Sequence, residues 1–170
     1  MNKKILALTL SLSAPAGAAD FGMFYGKGIG NNPNSDYVEM RIYSESKSDW
    51  RNYLSIGSAN GVVVADDDHK WVEGSSPFSS FGIGVQYSNN LKYNVYWSGS
   101  VGAAILNKTL DGSGYAPVLE WRLEIGVKLD SVSFGFALNE MSKPKLQDEP
   151  WHDLDCARPR FFGYFIRIDV

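Results

Sequence analysis

One cysteine, Cys156, stands in a chain of 170 residues. A lone thiol excludes an internal disulfide and a thiolate metal cluster. Outside the N-terminus no apolar run reaches the roughly 18 residues that a spanning helix needs, which argues against a helical membrane protein. Runs of lysine and arginine are missing too, and the net charge is −3, a balance that argues against nucleic acid as a partner. What the chain does have is 44% hydrophobic residues, 14% aromatics and 17 glycines. That mixture, at a length suited to one domain, fits a small β-barrel with aromatic girdles and a tight interior.

Residues 1–19 read as a secretory signal. Lys3 and Lys4 form the positive start, Ile5 to Ser13 the apolar core, and Pro15 breaks it before the small residues Ala16-Gly17-Ala18-Ala19. Residues 20–170 are therefore expected to be one exported domain.

From Tyr115 to Leu129 every second residue changes character. Tyr115, Pro117, Leu119, Trp121, Leu123, Ile125, Val127 and Leu129 make one face; Ala116, Val118, Glu120, Arg122, Glu124, Gly126 and Lys128 make the other. A period of two marks a β-strand whose faces meet different surroundings. The run is long for a strand in a soluble protein. In a membrane barrel the apolar face meets lipid and the charged face fills the lumen.

Seven further segments show the same alternation, at Phe21–Gly30, Tyr37–Ser44, Trp50–Ser58, Pro77–Ser88, Leu91–Leu106, Val132–Met141 and Arg160–Val170. In the first, Gly22, Gly26, Gly28 and Gly30 recur on one face, as a tightly curved wall requires. Asn31–Ser35, Ser46–Asp49, Asn89-Asn90 and Asp130-Ser131 are expected turns. Residues 59–76, 107–114 and 142–159 are expected longer loops. Short and long connections that alternate are the pattern of an outer-membrane barrel. The expected fold is thus all-β: an eight-stranded antiparallel up-and-down transmembrane β-barrel behind a cleaved signal peptide, in the outer membrane of a Gram-negative bacterium. Side chains fill a barrel of this size, so no open pore is expected. The competing arrangement is a soluble periplasmic barrel that binds a ligand, with apolar faces inward and charges outward.

The second half carries a resemblance. Tyr93-Asn94-Val95-Tyr96-Trp97-Ser98-Gly99-Ser100-Val101-Gly102-Ala103-Ala104, then Glu124-Ile125-Gly126-Val127-Lys128-Leu129, then Asn139-Glu140-Met141-Ser142-Lys143-Pro144 resemble the outer-membrane lipid A 3-O-deacylases, the PagL-like barrels. The resemblance implies an eight-stranded barrel in contact with lipid A. In that family a histidine and a serine two residues apart, with a glutamate on the last strand, cleave an acyl ester. Here Leu138 stands at the histidine position and Glu140 at the serine position, while Arg160 or Arg158 falls near the glutamate. No catalytic residue carries over. The resemblance implies lipid contact more than hydrolysis, and an active lipid A ester hydrolase is the alternative.

Other constellations are weaker. Ser142 and His152, with Asp148, Glu149, Asp153 and Asp155 nearby, are the weak candidates for a hydrolytic set, but their spacing matches no motif. His152 with Asp153 and Asp155, or His69 with Asp66-Asp67-Asp68, has ligand types for a cation, yet solvated loops have the same composition. No metal site and no cofactor are therefore assigned. Arg158 and Arg160, at the start of the last strand, are expected to contact lipid A phosphates, because guanidinium binds phosphate through two bonds. Glu39, Arg41, Glu120, Arg122, Glu124 and Arg167 are expected to form a lumen charge network, since buried charges need partners. The expected partners are outer-membrane lipids and lipopolysaccharide. Oligomeric state is not legible in the sequence.

Overall fold

The computed structural model describes residues 19–30, 34–44, 49–60, 64–65, 71–72, 78–107, 116–142 and 159–170. Residues 1–18 of the proposed signal, Cys156, His69, His152, Arg158 and the aspartates of the two long loops lie outside these residues. Eight strands close into one antiparallel barrel: β1 (Asp20–Ile29), β2 (Asp36–Tyr43), β3 (Trp50–Asn60), β4 (Phe78–Asn90), β5 (Val95–Leu106), β6 (Ala116–Leu129), β7 (Val132–Ser142) and β8 (Arg160–Ile168). Each strand pairs with its neighbours in sequence, and β1 pairs with β8 from Phe21↔Ile168 to Ile29↔Arg160. Val64–Ala65 and Trp71–Val72 form a separate two-stranded ladder.

The connections sort the barrel into two ends. At one, the turn end, the chain passes directly from β4 to β5, from β6 to β7 and, with slightly more chain, from β2 to β3. At the other, the loop end, lie the longer connections after β3, β5 and β7 and the shorter one after β1.

The alternation expected from sequence is realised with the apolar residues outside. On β6, Leu119, Leu123 and Ile125 are 50%, 53% and 59% exposed, whereas Glu120, Arg122 and Glu124 are buried. The same polarity holds for Phe81 and Ile83 on β4, Phe134 and Phe136 on β7, and Phe162, Tyr164 and Ile166 on β8. The structure therefore has the opposite polarity to a soluble barrel, whose apolar side chains pack inside.

Glycines occur where backbones meet closely. Gly126 pairs with Gly135, and Gly26 with Gly163. A Cβ at Gly163 would stand 1.9 Å from the carbonyl oxygen of Tyr25, a separation no side chain tolerates. Such pairs let the wall bend sharply enough to close with eight strands.

The structure corrects one turn. Asn89 and Asn90, expected to be the turn, extend β4 instead and pair with Trp97 and Tyr96. The chain reverses at Leu91–Asn94, where the Leu91 N–H donates to the Val95 carbonyl at 2.7 Å and Tyr93 and Asn94 have φ of 62° and 61°. Leu91 and Tyr93 thus belong to the turn, not to the apolar face of β5. Left-handed backbone suits an asparagine, whose short polar side chain relieves its cost, and Asn94 meets that need while Asn89 and Asn90 gain ladder bonds. The strand bounds otherwise move by one or two residues, and the last strand stops at Ile168.

Candidate functional site

The interior is filled in two zones. Toward the loop end, Tyr37 stacks on Phe161 with ring centroids 4.9 Å apart and also meets Phe24 and Phe78. Ala59, Leu106, Val118 and Met141 complete this apolar zone. Below it lies the charged zone, and the six residues singled out from sequence all belong to it.

Arg41 holds its centre. Its Nε donates to Glu39, its Nη2 to Glu120 Oε1 at 2.8 Å and its Nη1 to Ser100 Oγ at 2.8 Å. The guanidinium also lies 4.1 Å from the ring centroid of Tyr53, a favourable cation–π placement. Arg122 Nη2 is 2.8 Å from Glu39 Oε1 and its Nη1 is 3.8 Å from Glu124 Oε1. Glu124 accepts further bonds from Gln86, Ser98 and Tyr96. Arg167 Nη1 then donates to the Tyr96 hydroxyl at 2.6 Å. Glu39, Glu120 and Glu124 offset Arg41, Arg122 and Arg167 in charge, which is the arrangement buried ions require.

Sequence reasoning missed the neutral members. Tyr37 donates to Glu39 at 2.6 Å and Tyr53 to Glu120 at 2.8 Å. Both tyrosines share strand parity with the charges, and that parity was the available signal. Asn139, fully buried opposite Arg122, makes no side-chain hydrogen bond among the described residues; nothing in the structure accounts for it.

A second charged cluster lies at the turn end. Arg51 of β3 binds Asp20 of β1 and, at 3.2 Å, Asp169 beyond β8. Lys128 donates to Asp169 at 2.6 Å, and Arg167 Nε lies 3.1 Å from it. Burial alone would push the Asp169 carboxyl up. The Lys128 hydrogen bond and the charges of Arg167, Lys128 and Arg51 outweigh it and hold the carboxyl below its ordinary range.

The outer wall carries three features. Near the turn end, Trp50, Tyr87 and Trp97 form an aromatic ladder with successive centroids 5.1 and 5.5 Å apart. Toward the middle, a notch of about 310 Å³ opens beside Gly99, bordered by Trp50, Val85, Trp121 and Leu123. At the loop end, polar groups occupy positions whose neighbours along each strand are apolar. Arg160 Nε donates to Glu140 Oε2 at 2.7 Å; Arg160 is half exposed and Glu140 is 3% exposed. Glu140 has the outward parity of Leu138 and Phe136, and its register partners are Arg160 and Trp121. On β1 and β2, Lys27 Nζ lies 3.5 Å from Asp36 Oδ1, which also accepts from Tyr25 at 2.9 Å.

Leu138, Glu140 and Arg160, the positions to which the resemblance would assign catalysis, are neighbours on this outer face. They bring together an aliphatic side chain, a carboxylate and a guanidinium. Ser142, at the end of β7, sits 3.5 Å from the Leu119 carbonyl; its sequence partner His152 is outside the described residues. No family model, curated protein or solved structure matches this chain.

Proposed function

We propose that the chain is a small β-barrel of the bacterial outer membrane, non-catalytic, that is structural or interacts with lipopolysaccharide. The observation that carries the reading is the polarity of the wall. Leucine, isoleucine, phenylalanine and valine cover the outside, and a neutralised charge network fills the inside. In water such a surface would be a large aggregation liability; in a bilayer it is the required one. The closed ladder leaves no strand edge unpaired, as hydrocarbon demands. The Trp50–Tyr87–Trp97 ladder fits an interfacial girdle on the periplasmic side. The likeness of the second half to the lipid A deacylases supports contact with lipid A, and the side chains at Leu138, Glu140 and Arg160 support binding over ester cleavage.

Two measurements test this. Urea-unfolded chain diluted into short-chain phosphatidylcholine vesicles is expected to fold, with heat-modifiable electrophoretic mobility, and to stay aggregated or unfolded in buffer alone. Folding in lipid-free buffer would refute the membrane reading. Mass spectra of lipid A from cells with and without the protein are expected to be identical; a lost acyl chain would establish the hydrolase alternative.

A further inference from the structure

On the outer face at the loop end, four charges from four strands stand in the order Asp36, Lys27, Arg160, Glu140. The order follows from register. Lys27 pairs with Asp36 across β1–β2, and Arg160 with Glu140 across β8–β7. Between β1 and β8, Lys27 pairs with Phe162, so Arg160, two residues earlier on β8, is its diagonal neighbour. Diagonal neighbours on one sheet face lie about 7–8 Å apart. The two cations are therefore adjacent, and each carboxylate sits on the far side of its own cation.

Alternation of signs would place an opposite charge beside every cation, whereas here two like charges are diagonal neighbours. Both cations are accessible, with side chains 67% and 54% exposed. Their carboxylates leave donors in hand. Glu140 engages Nε of Arg160, and a guanidinium has four other N–H groups. Among the described residues the Lys27 ammonium has one ion-pair contact, at 3.5 Å. Glu140 and Asp36 fix the two stems, and an anion placed between Lys27 and Arg160 relieves their repulsion.

We propose that Lys27 and Arg160 together form a site for a phosphate monoester at the height of the outer-leaflet headgroups. A tetrahedral dianion presents oxygens to both cations at once, and guanidinium matches it through two parallel bonds. Phe162, about half exposed, stands beside Lys27 in the register and stacks on Phe136, so hydrocarbon attached to the phosphate meets an aromatic wall. The inference rests on the membrane reading for its source of phosphate, but the cation pair itself does not.

The test uses the full chain folded in phosphatidylcholine nanodiscs doped with phosphatidic acid, a monoester lipid. Native mass spectrometry of the released barrel reads which lipid it retains. The expected result is about tenfold preference for phosphatidic acid, equivalent to roughly 1.4 kcal/mol. Lys27→Gln should reduce the preference several-fold. Arg160→Gln combined with Glu140→Gln, which removes the ion pair as a unit, should do the same. Lys27→Arg should keep it. A preference unchanged in a Lys27→Gln, Arg160→Gln, Glu140→Gln chain would overturn the proposal. Inorganic phosphate added as competitor separates the sources: displacement of the lipid shows a site for the phosphate group itself, and retention shows one that needs the lipid body. Should the chain fold in lipid-free buffer, the membrane reading falls, and a phosphorus NMR titration with inorganic phosphate in that buffer decides the cation pair separately. There, binding lost in Lys27→Gln supports the pair and no binding refutes it.

Discussion

An arginine placed at Leu123 reports directly on what touches the wall. β6 has 14 residues, Ala116–Leu129, and Leu123 is near its middle. At about 3.3 Å per residue the strand is roughly 46 Å long, and a tilt near 45° reduces its height to about 33 Å. An apolar band about 25 Å tall, centred on such a strand, puts Leu123 near the bilayer midplane and Leu129 at or beyond its edge. Both residues are outward and similarly exposed, at 53% and 51%. Leu123→Arg is then expected to cost about 2–4 kcal/mol, and Leu129→Arg about 0–1 kcal/mol. In water the two substitutions would be nearly equal, each within about 0.5 kcal/mol of neutral. The assay is equilibrium urea unfolding in short-chain phosphatidylcholine vesicles, followed by tryptophan fluorescence. Equal costs at Leu123 and Leu129 would refute the reasoning, since no depth-dependent medium would then surround the strand.

Three other outcomes are expected. Arg41→Met leaves Glu39 with Arg122 but takes from Glu120 its cation in the interior and should cost about 3–5 kcal/mol, read as a lowered urea midpoint; adding Glu120→Gln should recover part of the loss. Gly163→Ala places a Cβ 1.9 Å from the Tyr25 carbonyl oxygen and should cost about 1–3 kcal/mol, whereas Gly99→Ala, whose Cβ would meet only Leu123 at 3.7 Å, should change the midpoint by less than about 0.5 kcal/mol. Because the Asp169 carboxyl is held below its ordinary range, its contribution to stability is complete above the unfolded-state value and disappears as pH falls through the folded one. Unfolding midpoints measured from neutral pH into the acid range should show a smaller decline in Asp169→Asn than in the parent chain.

The strands were legible because two neighbouring residues rarely share an environment in this wall. Leu119 to Ile125 against Glu120 to Glu124 reads as a strand without any tertiary knowledge, and the six network residues follow from the same parity. Which face turns outward was not legible, since a period of two is symmetric under exchange of faces; only the closed structure shows Ile125 outside and Glu124 inside. The turn at Leu91–Asn94 escaped because Asn89-Asn90 carries the stronger local signal, yet ladder bonds to Trp97 and Tyr96 outweigh it. The pairs made by Glu140 and Lys27 escaped for another reason. They depend on register between strands distant in sequence, and alternation along one strand contains no information about register with another.

Arg51 has a consequence for how the molecule is completed. Through Asp20 and Asp169 it grips both margins of the seam where the first strand meets the last, yet it belongs to neither strand. The first three strands can already join Arg51 to Asp20. Only when the last strand arrives does Asp169 reach the same guanidinium. The meander thus holds one half of a clasp in readiness, and closure supplies the other.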